Sequence, residues 1–239
     1  MNVSKPLPLT GAHNVRDLGG YPAEGGKETK YKVFLRGDSL HGLTKEDEEY
    51  LDDYGVRLVI DVRGKNEAFM HPDHIDKKQI ERLHVPLLDH IQSEAMLGKM
   101  PDDMGDMYIG LVEKSKDGLK EIFTRMADAE GVTLYHCTAG KDRTGIITML
   151  VLKLAGVPDD VVLADYAVSE TYMKEMFEKQ RGMVEKAGVK VPEYVFRSKP
   201  EYMRKLMEHI AQKYGTAKDY LMDIGLSDAE IGRLKGKIV

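Results

Sequence analysis

The stretch from Tyr135 to Leu150, YHCTAGKDRTGIITML, limits what this chain can fold into more than any other. Val132, Leu134 and Tyr135 make an apolar run that reads as a buried strand, and the run ends on Cys137, the only cysteine of the chain. Thr144 to Ala155 reads as a helix. Between them, Thr138 to Asp142 includes Gly140 and no β-branched residue after Thr138, which suits a tight loop. A strand, a short loop and a helix start together form a device for holding an anion. Loop N–H groups point inward, and the helix N-terminus adds about half a positive charge.

Such a device suits a thiolate and a phosphate alike. A free thiol ionises near pH 8.5, so a few per cent is thiolate at neutral pH. Shifting that balance by about three pH units takes roughly 4 kcal/mol of preference for the anion. One or two N–H bonds to the sulfur, about 1.5–3 kcal/mol each, plus a helix end supply it. The guanidinium of Arg143 can grip two phosphoryl oxygens at once, which a lysine cannot do. The competing readings are an inert core cysteine and a cysteine–histidine hydrolase. His136 neighbours Cys137 on a strand, so the two side chains point to opposite faces; His136 is a poor base and is expected to brace the loop from behind.

Elsewhere strands and helices alternate. Tyr31–Arg36 reads as a strand, Thr44 caps a helix running to Asp53 that Gly55 ends, and Val56–Asp61 is a doubly buried strand. Asp61 and Arg63 sit at its C-terminal end, where α/β proteins place ligands, although a local ion pair fixing the next loop is the preferred reading for both. Glu81–Leu87 is a further strand, opening onto Asp89 and a long methionine-rich connection that reads as a lid, a binding segment or a disordered excursion. Tyr108–Val112 and Gly118–Ala129 read as helices, and Val3–Gly20 as irregular lead-in. After Gly156 the pattern is helical: from Pro158, over Glu170–Ala187, over Lys199–Tyr214, and from the capping box Ser227–Glu230. The expected architecture is α/β, with a mostly parallel central sheet flanked by helices and a helical C-terminal part, in one domain over residues 1–239.

Composition narrows the partners. A net charge of −5 argues against nucleic acid or an anionic membrane as a bulk partner, so an anionic substrate needs a local positive pocket. The longest apolar run, near Ile146–Val157, is interrupted by Lys153 and too short to span a bilayer, so no integral membrane segment is expected. MNVSKPLPLT lacks an apolar signal region; the expected location is cytoplasmic, or exported without a visible signal peptide. His71, His74, His84 and His90 fall into no recognised metal pattern, and neither a metal nor another cofactor is expected.

The string His136-Cys137, five residues, Arg143-Thr144-Gly145 resembles the signature of the protein tyrosine phosphatase superfamily. Lys141 and Asp142 narrow the resemblance to bacterial phosphatases with an HCxxGKDR loop, a group that includes secreted Mycobacterium and Listeria enzymes of mixed protein and lipid substrates. HNVRDLGGY (13–21), FLRGDSL (34–40), VIDVRGKNEA (59–68), HVPLLD (84–89) and the end from Tyr202 to Val239 extend it over nearly the whole chain.

That resemblance implies phosphomonoester hydrolysis through a phosphocysteine on Cys137. Thr138, Ala139, Gly140, Lys141, Asp142, Arg143 and Thr144 would hold the phosphate, and His136, Asp61, Arg63, Asn14 and Arg16 would support them. HNVRDLGGY is either a wall of the active site or simply a turn at Gly19-Gly20. The general acid is Asp142, which the HCxxGKDR relatives indicate, or Asp89, which follows a strand where most tyrosine phosphatases keep their acid; Asp142 is favoured, with Asp89 orienting it or sharing its proton. Thr144 either donates to the leaving thiolate or caps the helix. Lys141 is either solvated or meets a second phosphate, as in tensin-type lipid phosphatases with HCxAGKxR loops. Expected substrates are phosphotyrosine proteins, with some phosphoserine/threonine or phosphoinositide turnover, and two C-terminal helices are expected to form a flap. The alternatives are a phosphate-binding module without turnover and a redox or sulfur-transfer protein; the absence of a second cysteine counts against arsenate-type reduction.

Overall fold

The computed structural model describes residues 3–87, 103–186, 188 and 191–239. Its centre is a five-stranded sheet of β1 (Arg16–Asp17), β2 (Phe34–Gly37), β3 (Val56–Asp61), β4 (Glu81–His84) and β5 (Val132–His136), in the order β1-β2-β5-β3-β4. Only β1 runs antiparallel; the pairs β2–β5, β5–β3 and β3–β4 are parallel. The α/β architecture with a mostly parallel sheet is therefore as expected. β5 lies in the middle with all five residues buried, matching its apolar run.

Period-two alternation sorts the strand residues between two cores. Phe34, Leu58, Ile60 and Tyr135 face one core with Ile122, Phe123, Ile146 and Leu150. Leu35, Val59 and Leu134 face another with Val15, Leu40 and Leu51. Covering the sheet are α1 (Lys45–Tyr54), α2 (Lys65–Met70), α3 (Met104–Lys114), α4 (Lys116–Asp128) and α5 (Asp142–Leu154). Then follow α6 (Asp159–Ala167), α7 (Ser169–Tyr172), α8 (Lys174–Lys186), α9 (Pro200–Lys213), α10 (Ala217–Asp223) and α11 (Asp228–Ile238). α5 is buried continuously from Arg143 to Leu152, so it is apolar nearly all round, as an internal helix must be. No helix among the described residues is long and apolar enough to cross a membrane.

Local chemistry explains most boundaries. Thr44 and Asp47 form a reciprocal capping box at the start of α1, and Gly55 ends it at φ +103°. Ser227 and Glu230 do the same for α11. Three expectations change. The lead-in is not wholly irregular, because Arg16 and Asp17 pair with Arg36 and Leu35 as an edge strand. The helix expected over Glu170–Ala187 breaks at Met173 into α7 and α8; Ala187 lies outside the described residues. α2 and α10 were not expected: α2 buries no residue and so presents no apolar stripe to read, and α10 is only seven residues long. In register, Gly37, Asp61 and His136 lie abreast at the C-terminal ends of their strands, with His84 beside Asp61. The edge they make is where a parallel sheet places a ligand.

Candidate active site

Cys137 follows the last residue of β5, and α5 begins at Asp142, so the strand–loop–helix device forms as expected. Gly140 turns the loop at φ +64°. A Cβ there would lie 2.6 Å from the carbonyl carbon and oxygen of Gly37, so the close approach to β2 admits only glycine. Cys137 N–H donates to that Gly37 carbonyl at 3.4 Å, and the Thr144 hydroxyl donates to it at the same distance. Thr144 thus ties the helix start to β2.

The loop is braced from behind by a buried polar network. Asn14 donates from Nδ2 to the carbonyls of Ala139 at 2.9 Å and Gly140 at 3.3 Å, and Arg36 donates to Gly140 at 2.6 Å. Arg16 grips Asn14 and donates from Nε to Asp165 at 3.1 Å, while Arg36 pairs with the other Asp165 oxygen. Tyr21 donates to Asp165 at 3.0 Å. Burial works against the Asp165 charge, yet the flanking Arg16 and Arg36 hold its carboxyl below the usual range. Asn14 and Arg16 are therefore supports of the loop rather than a wall facing substrate. Asp165 was not anticipated; its signal was a carboxylate inside a helix otherwise carrying Val161, Val162 and Tyr166.

Asp61 and Arg63 form the expected local ion pair. Asp61 accepts from Arg63 at 2.9 Å through Nε and 2.7 Å through the second amino group, and Arg63 reaches on to Asp73 at 2.8 Å. His136, fully buried, lies with Nε2 2.9 Å from Asp73, behind the loop as its strand position requires. Burial lowers the His136 pKa, but Asp73 and then Asp61 outweigh it and leave the imidazole above its ordinary value. Ligand atoms of Asp61, Asp73 and His136 lie within 4.8 Å of one another, yet Arg63 already bonds both carboxylates, so the cluster carries its own counter-charge.

Arg143 is 8% exposed and makes a two-pronged bond to Glu67, at 2.6 and 2.8 Å. The Thr138 hydroxyl donates to the same carboxylate. Burial opposes the guanidinium charge, but Glu67 and the nearby Cys137 sulfur hold its pKa above the usual value. Glu67 in turn is desolvated, which raises its pKa, while Arg143 and Thr138 pull it down to about 2. Glu67 carries no mark of a site residue in the sequence beyond lying in the VIDVRGKNEA stretch of the resemblance; only the packing of α2 brings it to Arg143.

Asp142 is the first residue of α5. The Tyr108 hydroxyl donates to its Oδ1, and Lys141 Nζ lies 3.4 Å from the same oxygen. Lys141 departs from both expectations. It is 1% exposed, its ammonium donates to the carbonyls of Val195 at 2.7 Å and Arg197 at 2.8 Å, and it sits 5.6 Å from the Phe177 ring centre. A buried ammonium with two carbonyl partners is neither solvated nor presented to a second phosphate. Asp89 and the long connection after it lie outside the described residues.

Residues 7–239 match the sequence profile of a family described as the tyrosine phosphatase family. The chain is 32% identical over 217 residues to a tyrosine-protein phosphatase of Nostoc commune, covering 86% of this chain and 74% of that one. It is 29% identical over 134 residues to the triple specificity protein phosphatase PtpB of Mycobacterium tuberculosis, covering 51% of this chain and 48% of that one. Among solved structures, P. aeruginosa TpbA aligns over 60% of this chain and 80% of its own, with 13% identity and a TM-score of 0.32. With nearly its whole length matched, and with the cysteine, glycine and arginine of the signature on one strand–loop–helix unit, the chain belongs to the tyrosine phosphatase family.

Proposed function

We propose that this member of the family hydrolyses phosphotyrosine through a phosphocysteine on Cys137, with residues 1–239 acting as one catalytic domain. The observation that carries the reading is Cys137 on the loop between β5 and α5, with the Arg143 guanidinium set by Glu67 and close enough to feel the sulfur's charge. In the first step the Cys137 thiolate attacks phosphorus, forming the S–P bond as the ester P–O bond breaks. Asp142 gives its proton to the departing oxygen. Water then attacks the phosphocysteine and loses its proton to Asp142, which returns thiolate and inorganic phosphate. Loop N–H groups and Arg143 take the charge on the equatorial oxygens.

The segment from α7 to Arg197 is proposed as the lid. Met173, Phe177 and Phe196 form a small apolar cluster against which Ala139 of the loop packs, and Lys141 bonds the carbonyls at 195 and 197. Beside it, a cleft of about 580 Å³ bounded by Thr138, Ser39, His41 and Lys174 leaves room for the rest of a substrate. The family relation to a protein named a triple specificity phosphatase supports a range beyond phosphotyrosine; phosphoserine/threonine and phosphoinositide are the further substrates proposed. The decisive experiment compares wild type and Cys137→Ser on p-nitrophenyl phosphate, phosphotyrosine and phosphoserine peptides, and phosphoinositide vesicles. Turnover that survives Cys137→Ser would reject the mechanism, and release of phosphate from phosphotyrosine alone would reject the wider range.

A further inference from the structure

Two buried tyrosines stand behind Asp142. Tyr108 on α3 is 0% exposed and Tyr166 on α6 is 1% exposed; their rings meet edge-to-face with centres 6.1 Å apart. Tyr108 donates to Asp142 Oδ1, and the two hydroxyl oxygens are 2.6 Å apart. A tyrosine has one hydroxyl hydrogen. Since that of Tyr108 goes to Asp142, the bond between the tyrosines must be donated by Tyr166. The chain therefore runs one way, from Tyr166 to Tyr108 to the carboxylate. Burial, then the Asp142 charge, raises the pKa of both phenols well above the ordinary value, so both stay protonated as donors.

The direction of this chain has a chemical consequence. Oδ1 takes the tyrosine hydrogen and is the oxygen that Lys141 approaches, so a second proton on it would meet two donors. Among the described residues Oδ2 accepts no hydrogen bond. A proton carried by Asp142 is thereby directed to Oδ2. We propose that Tyr108, backed by Tyr166, is a positioning residue that fixes which carboxyl oxygen of Asp142 delivers the proton to the leaving group and takes it back from water. This rests on Asp142 being the general acid. Without Tyr108 the carboxyl can rotate, and its proton is shared between two oxygens of which one faces away from the ester.

The test combines leaving-group dependence with a double-mutant cycle, on folded full-length protein checked by circular dichroism. Tyr108→Phe should lower kcat/KM, which reports the leaving-group step alone, about 10- to 100-fold on phenyl phosphate, the loss of a hydrogen bond to a charged group, and less than about 2-fold on 2,4-dinitrophenyl phosphate, whose leaving group needs no acid. Tyr166→Phe, which keeps the inner hydroxyl, should show the same pattern with a smaller loss. In an Asp142→Asn background Tyr108→Phe should change nothing further, since its effect passes through that carboxyl. If Asp142→Asn loses activity steeply with poorer leaving groups while Tyr108→Phe is equally slow on all of them, or stays costly in the Asp142→Asn background, the positioning role is overturned and the acid assignment stands. A flat loss for Asp142→Asn overturns both. If Tyr108→Phe does not fold, a flat profile for Tyr166→Phe overturns the proposal by itself.

Discussion

Replacing Glu67 by glutamine tests how Arg143, the arginine proposed to bind phosphate, is held. The carboxylate takes two bonds from Arg143 and a third from Thr138, and it also accepts from Gly64 N–H at 2.8 Å at the start of α2. Its pKa is about 2 against 4.5 for an ordinary glutamic acid, a gap equivalent to about 3 kcal/mol of preference for the charged form. The side chain is 27% exposed, so solvent screening reduces the expected contribution to about 2 kcal/mol. The folded-state pKa is depressed, so this stability is present above pH 4.5 and is lost as pH falls toward 2. Glu67→Gln should therefore lower the urea-unfolding free energy by about 2 kcal/mol at pH 7 and by much less at pH 3. Because the glutamine cannot hold both guanidinium nitrogens, kcat/KM on p-nitrophenyl phosphate should fall about 10-fold or more. An equal loss of stability at pH 7 and pH 3 would show that the pair is not what the carboxylate contributes. Wild-type kcat/KM in the variant would show that Arg143 needs no fixing.

Lys141→Met should leave the carbonyls of Val195 and Arg197 without their donor, at a cost of about 1–3 kcal/mol, and speed amide hydrogen exchange over residues 193–197; unchanged exchange there would rule out Lys141 as the tie between loop and lid. Gly140→Ala should abolish turnover, since its Cβ would lie 2.6 Å from Gly37 backbone, and a variant of wild-type kcat would mean the loop does not need this approach. His136 has a raised pKa, so its pairing with Asp73 contributes fully below pH 6.5 and is lost as pH rises through the folded-state value. Asp73→Asn should accordingly be more destabilising at pH 6 than at pH 9 in denaturant titrations, and the reverse order would contradict a charged imidazole behind the loop.

Much of the molecule was legible where a single local rule decides the outcome. The β5 run, the caps of α1 and α11 and the glycine after α1 follow from propensity and capping alone, and the structure has them where they were expected. The helix expected over Glu170–Ala187 failed at Met173 because a continuous apolar stripe does not report a backbone break between two short helices. α2 was invisible for the opposite reason: it buries no side chain, yet Glu67 on it reaches Arg143.

Cysteine, glycine and arginine lie within seven positions of one another, so covalent geometry and the start of a helix were enough to bring thiol and guanidinium to one loop, whatever surrounds them. The partners of that loop come from far along the chain: Glu67 is 76 residues from Arg143, Tyr108 is 34 from Asp142, and Asp165 is 149 from Arg16. Their side chains carry no mark of pairing in one dimension, because a buried charge or hydroxyl is defined by the opposite charge or lone pair that packing delivers to it. Lys141 is the clearest case. As a residue in a string it is a cation beside an anion site, and only the closing of residues 193–197 over it decides that its ammonium holds the protein's own carbonyls.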